Sequence, residues 1–216
     1  MNNEDYIFEQ SQKINTLLNN KQESDARDCV IKLLDFLNQN NIAYSELVNH
    51  LIREVGLYPY MKDALLWEDE LVCDFFKTNV GELEEKTLHR AQSKLLKKLL
   101  DGDNIAVSAP TSFGKSFIID AFIAIKQPKN VVIIVPTIAL MDETRRRLFK
   151  KFANRYRIIT TTDMTLGDHN IFVFPQERAL TYTNNFGDID ILIIDEFYKS
   201  SINVDKDRAP SLIKCI

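Results

Sequence analysis

Residues 105–135 read IAVSAPTSFGKSFIIDAFIAIKQPKNVVIIV and contain the patterns that decide the fold. Residues 105–108 predict a short apolar strand, and residues 115–126 predict a helix. Residues 131–135 are continuous in β-branched side chains, which is typical of a strand buried on both faces. Because strands that alternate with helices form parallel sheets with helices on both faces, the stretch predicts an α/β fold.

The loop between the first strand and the helix, residues 109–116, reads APTSFGKS. In such a loop the backbone N–H groups point at an anion, and the helix N-terminus adds partial positive charge. Lys115 can reach the β- and γ-phosphates of a nucleotide, and the Ser116 hydroxyl can bind Mg²⁺. Alanine replaces the first glycine of the usual pattern. We expect ATP to contact the whole loop: Ala109, Pro110, Thr111, Ser112, Phe113, Gly114, Lys115 and Ser116.

Two adjacent acids follow the last apolar run of the chain, residues 191–194. In open α/β sheets, ligands bind at the carboxyl ends of the strands, so this run places Asp195 and Glu196 near the phosphate loop. Asp195 is predicted to hold Mg²⁺ through water. Glu196 is predicted to orient and deprotonate the attacking water. Lys115, Asp195 and Glu196 are therefore the candidate catalytic residues.

The first 80 residues differ from the rest in composition and hydrophobic pattern. They contain one glycine (Gly56) and one proline (Pro59), and they show helical periodicity throughout. They predict a small all-helical domain without strands, whose fourth helix covers residues 64–77 and contributes Trp67, Phe75 and Phe76 to the core. Residues 81–216 are predicted to form the second, α/β domain. The sequence shows no internal repeat and no low-complexity tract.

Composition restricts the partners and the compartment. The formal net charge of −4 offers no overall attraction for nucleic acid, so such a partner would need a local basic patch. Arg145, Arg146 and Arg147, with Lys150 and Lys151, either supply that patch or form a solvated helix face. Three isolated cysteines, no apolar run long enough to span a membrane and no secretory N-terminus predict a cytoplasmic protein without a membrane partner.

These motifs resemble those of superfamily 2 helicases, the DEAD/DEAH-box group. The loop at residues 109–116 looks like motif I, and Asp195-Glu196-Phe197-Tyr198 looks like motif II. Gln92 is similar to the glutamine that reads adenine upstream of motif I. Residues 135–140, VPTIAL, resemble motif Ia, and residues 173–178, VFPQER, resemble a weak motif Ib.

The resemblance implies an incomplete RecA-like P-loop domain that uses ATP and Mg²⁺ and contacts DNA or RNA through Pro136, Thr137 and Arg178. Tyr198 stands where the name-giving members have Asp or His, at a position that couples hydrolysis to the rest of the motor. The family's motif III and second RecA-like domain would follow motif II. We therefore expect this chain to be the first part of a helicase, truncated after motif II, that by itself hydrolyses ATP slowly and unwinds nothing.

The helical domain carries no chemistry of its own and suits a protein partner. A helical region before such a helicase core resembles bacterial anti-phage defence helicases, including the Hachiman type. Two other classes of function stay open from the residues. One is a different P-loop phosphotransferase, and the other is a non-catalytic adaptor with a vestigial nucleotide fold. The intact Lys115, Ser116, Asp195 and Glu196 favour the helicase-type ATPase.

Overall fold

The computed structural model describes residues 2–63, 66–80 and 84–200. The chain divides into two compact units: residues 84–121 group with the described residues up to Asn79, and the described residues from Phe122 onward form the second unit. The predicted domain boundary at residues 80 and 81 includes Gly81, which lies outside the described residues, so it stays a prediction. Among the described residues, no helix combines the length and the apolar character needed to cross a membrane.

The first unit begins with four helices. They are α1 (Asn3–Asn19), α2 (Glu23–Gln39), α3 (Glu46–Val55) and α4 (Trp67–Phe75). The Ser45 side chain caps α3 by accepting from the Val48 N–H, and Gly56 ends it in the left-handed region with φ of 74°. Apolar residues that the sequence places at helical spacing are buried together, which confirms the helical region: Ile14, Val30, Leu33, Leu34 and Leu37.

The end of the helical region differs from the prediction in two ways. A short two-stranded sheet, β1 (Lys77–Val80) and β2 (Glu84–Thr87), follows α4, so the expectation of no strand in the first 80 residues is wrong. Trp67 and Phe75 are 71% and 80% exposed, whereas Phe76 packs against the core. Because α4 has apolar side chains on two faces, periodicity alone could not tell which face is buried.

Two more helices complete the first unit and lead into the second. They are α5 (Arg90–Leu100) and α6 (Lys115–Lys126). The strand predicted for residues 105–108 is wrong, because these residues have no regular structure and Val107 is 43% exposed. The run contains alanine and serine beside only two β-branched residues, so it offers little apolar area to bury in a sheet.

The second unit is built on a four-stranded sheet. Its strands are β3 (Asn130–Val135), β4 (Arg157–Ile159), β5 (Asn170–Pro175) and β6 (Ile191–Ile194), in the order β4-β5-β3-β6, and all pairs are parallel. Helices α7 (Ile138–Phe152) and α8 (Gln176–Tyr182) follow β3 and β5. The fold is therefore α/β with a parallel sheet, as predicted.

The register of this sheet determines which loops share an edge. Ile134 on β3 is paired with Phe174 on β5 and with Ile194 on β6. The three strands therefore end at the same level, and the segments that follow them lie along one edge of the sheet. One apolar cluster beside the sheet contains aromatic side chains from β5, α8 and the turn after it: Phe172, Phe174, Tyr182 and Phe186.

Candidate nucleotide-binding site

The loop at residues 109–116 turns sharply into the start of α6. A single 3₁₀ turn, Thr111–Phe113, is followed by Gly114 at φ of 78°, and α6 begins at Lys115. The Gly114 carbonyl accepts from the N–H groups of Phe117 and Ile118. The first turn of α6 thus closes on Gly114, and the N-terminus of the helix, where the dipole favours negative charge, adjoins the loop.

Gly114 is confined both by its backbone angle and by a neighbour. A side chain there would adopt a left-handed conformation that L-residues avoid. A Cβ atom on Gly114 would also lie 2.8 Å from Nε2 of Gln92. The loop therefore requires glycine at position 114, because the Gln92 amide fills the space that a side chain would occupy.

The Lys115 side chain folds back over the loop. Its Nζ donates to the carbonyl oxygens of Ala109 at 2.6 Å and Pro110 at 2.9 Å. The ammonium therefore lies against the loop, bonded to two of its carbonyl groups. Ser116 is exposed on the first turn of α6, next to this lysine.

The structure brings Gln92 against the loop. Its Oε1 accepts from the His89 N–H at 3.0 Å, and its Nε2 donates to the Phe113 carbonyl at 2.8 Å. The amide thus joins the start of α5 to the loop. Nε2 carries a second N–H and Oε1 a second lone pair, so the amide keeps a donor and an acceptor while it holds the Phe113 carbonyl.

His89 supports Gln92, a role that the sequence pattern does not predict. Its Nδ1 accepts from the Gln92 N–H at 3.3 Å, which completes a reciprocal cap of α5, and its ring packs against Phe113 at 5.1 Å. Burial and the positive charge of Arg27 lower the pKa of His89, against an opposite effect of the Phe113 carbonyl. A lowered pKa keeps the ring neutral at neutral pH, so that Nδ1 can accept.

Asp195 and Glu196 leave the sheet at the end of β6. The Asp195 N–H donates to the Ile134 carbonyl at 2.9 Å, and the Glu196 N–H donates to Oδ1 of Asp195 at 2.9 Å. Glu196 has φ of 52°, a left-handed angle that is uncommon outside glycine and often marks functional positions. Both side chains are half-buried at the edge where the parallel strands end.

The loop and Gln92 belong to the first unit, whereas Asp195 and Glu196 belong to the second. Their meeting around one nucleotide is therefore a proposal.

The residues expected at the nucleic-acid face lie along the same sheet edge as the acidic pair. Pro136 follows β3, and Thr137 caps α7 by accepting from the Leu140 N–H at 3.2 Å. Arg178 on α8 donates to the Thr160 carbonyl and contacts the Met141 sulfur at 3.4 Å. Thr137 and Arg178 both line one open groove of about 680 Å³. The sequence separates them by many residues, and the sheet brings them together.

The basic cluster on α7 is partly neutralised. Asp142 accepts from Arg145 at 2.8 Å and from Arg146 at 2.5 Å. The hydrogen bond from Arg145, with the charge of Arg146, holds the pKa of this carboxyl below its usual value. Two of the basic side chains are thus engaged along their own helix, so the cluster is a weaker phosphate-binding surface than its composition suggests.

Comparison with known proteins identifies the class. Residues 89–216 match the DEAD/DEAH box helicase family, and the chain belongs to that family. The predicted resemblance and the incomplete RecA-like fold are confirmed. Residues 1–70 match the Anti-bacteriophage protein B N-terminal domain. The chain is 35% identical over 199 residues to Anti-bacteriophage protein B of Escherichia coli (strain K12), an alignment covering 90% of this chain and 26% of that protein. It therefore spans about a quarter of the length of this relative.

Proposed function

We propose that the chain is the ATP-binding part of a nucleic-acid-dependent ATPase of the helicase type. The observation that carries this proposal is the loop itself. It turns through a glycine at φ of 78°, opens onto the N-terminus of α6 and holds the Lys115 ammonium at its centre. The groups around the loop fit a nucleotide, because they combine backbone N–H donors with a lysine cation and a serine hydroxyl.

In this proposal each residue has one task. The loop N–H groups and Lys115 bind the phosphates, Ser116 and Asp195 hold Mg²⁺, and Gln92 recognises adenine. Mg²⁺, when bound, neutralises the charge on the phosphate oxygens. Glu196 accepts the proton of the attacking water. The nucleotide pocket is proposed to be lined by the loop and the glutamine before it: Gln92, Ala109, Pro110, Thr111, Ser112, Phe113, Gly114, Lys115 and Ser116.

The nucleic-acid partner is proposed to bind along the carboxyl edge of the sheet. There the N-terminus of α7, capped by Thr137, offers N–H groups to a phosphate, and the Arg178 guanidinium lines the same groove. Contacts of this kind recognise the backbone and not the sequence of the strand. We propose DNA or RNA as the partner, held by Pro136, Thr137 and Arg178.

The biological setting is proposed from the relative. Because that relative is named as an anti-bacteriophage protein and shares 35% identity with this chain, we propose a role in defence against phage. We propose the cytoplasm as the compartment, because the isolated cysteines of this chain fit a reducing environment. The helical region is proposed to bind a protein partner. A second RecA-like domain is proposed as the partner that closes the nucleotide site.

Titration of the chain with Mg-ATP in a calorimeter tests the proposed site. We expect Lys115→Ala to weaken binding by about tenfold, since it removes the cation from the loop. Lys126→Ala is the matched control, because it removes an exposed lysine from the far end of the same helix. Equal affinity in the wild type and Lys115→Ala would contradict the proposal and favour a non-catalytic adaptor.

A further inference from the structure

We propose that Arg90 is a positioning residue that ties the nucleotide loop to the helical region, an inference that rests on the proposed ATP site. Arg90 is the first residue of α5, two positions before Gln92. It lies at the junction between the part of the chain that matches the anti-bacteriophage domain, residues 1–70, and the part that matches the helicase family, residues 89–216. All of its contacts described below lie within the first compact unit.

The Arg90 side chain caps the end of α3. Its Nη1 donates to the Glu54 carbonyl at 3.1 Å, and its Nη2 donates to the Arg53 carbonyl at 3.2 Å. The last carbonyls of a helix lack partners within the helix and carry partial negative charge, so a guanidinium satisfies both needs. The cation is therefore bound to the end of a helix and is not a solvated surface charge.

Two further contacts fix the direction of the side chain. Nε donates to the Tyr58 hydroxyl at 3.1 Å, and Tyr58 is itself buried and stacked on Phe76 at 4.3 Å. The Arg90 N–H donates to the Gly56 carbonyl at 2.9 Å. A Cβ on Gly56 would lie 2.5 Å from the Cβ of Arg90, so the backbones meet as closely as glycine allows.

The next step runs along α5 to the loop. Because Arg90 and Gln92 share the first turn of one helix, fixing Arg90 fixes the position from which Gln92 reaches Phe113. The Gln92 amide then holds the Phe113 carbonyl at 2.8 Å, one residue before Gly114. An unbroken series of hydrogen bonds and one helical turn thus joins the end of α3 to the phosphate loop. A shift of α3 would move the loop, and nucleotide in the loop would favour one position of α3.

The test uses the intact chain and two measurements, one of which needs no nucleotide. Amide hydrogen exchange of the free protein reports the loop directly, and titration with Mg-ATP reports its affinity. For Arg90→Ala we expect faster exchange at residues 109–116 and at the start of α5, unchanged exchange in α1 and α2, and about fivefold to tenfold weaker Mg-ATP binding. Lys94→Ala is the matched control, because it removes an exposed cation from the same helix.

A double-mutant comparison separates positioning from general destabilisation. If Arg90 acts through Gln92, the effects of Arg90→Ala and Gln92→Ala on Mg-ATP affinity will not add. Loop exchange like that of the wild type in Arg90→Ala, or fully additive losses of affinity, would overturn the inference. If Arg90→Ala does not fold, the same two measurements are made on Tyr58→Phe, which removes only the hydroxyl that accepts from Nε of Arg90. If the wild type binds no Mg-ATP, the proposed function fails while the exchange measurement still tests the link.

Discussion

Glu196→Gln is expected to lower the rate of ATP hydrolysis by at least about a hundredfold while leaving Mg-ATP affinity within about twofold. The glutamine keeps the size of the side chain but cannot accept a proton from water at neutral pH. Binding is expected to survive because the loop and Lys115 lie in other segments of the chain. The measurement is phosphate release with protein in excess over labelled ATP, a format that resolves slow rates.

The control for this change is Glu9→Gln, the same substitution at an exposed position of α1. It is expected to alter neither the rate nor the affinity. Hydrolysis at the wild-type rate in Glu196→Gln would contradict the assignment of Glu196 as the general base. Loss of binding in parallel with the rate would instead show that the carboxylate holds the nucleotide.

Gly114→Ala is expected to weaken Mg-ATP binding by about a hundredfold. Its left-handed backbone costs an alanine about 1–2 kcal/mol, and the new methyl group would displace the Gln92 amide from the Phe113 carbonyl. Because an alanine relieves this strain by leaving the left-handed region, the loop N–H groups lose their alignment, and together with the broken hydrogen bond the lost affinity should approach about 3 kcal/mol, which is about a hundredfold. Calorimetric titration with Mg-ATP measures it.

Gly102→Ala is a matched control, because Gly102 also has a positive φ, 94°, but a Cβ there would meet nothing within 4 Å. It imposes a similar backbone strain without contact to the loop. We expect Gly102→Ala to lower the thermal stability slightly and to leave the affinity within about twofold. Equal effects of the two substitutions on Mg-ATP affinity would mean that the contact with Gln92 is irrelevant.

Long periodic patterns in the sequence predicted the corresponding helices and strands correctly. Helix α6 has the predicted bounds, and β3, with its run of β-branched residues, lies between β5 and β6 as a buried strand. The secondary structure of these segments is determined locally, because each has its own hydrophobic period or is bounded by turn-forming residues. The parallel sheet followed from their alternation.

Short segments were decided by their surroundings instead. Residues 105–108 offer two β-branched side chains in four, which is too little to specify a strand without a neighbour, and α4 has apolar residues on two faces. The contacts of the residues that hold the loop in place could not be predicted from the sequence either. His89 and Arg90 act through the cap of one helix and the carbonyls of another, and no spacing in the sequence reveals which helix end an arginine will meet.

We propose that the loop at residues 109–116 and the acids after β6 bind one Mg-ATP. The most direct test is the dependence of ATP affinity on Mg²⁺ in the wild type and in Asp195→Asn, which keeps an oxygen to accept the Glu196 N–H. Asp188→Asn serves as the exposed control. We expect Mg²⁺ to strengthen ATP binding about tenfold in the wild type and the control and much less in Asp195→Asn. An equal effect of Mg²⁺ in all three proteins would contradict it.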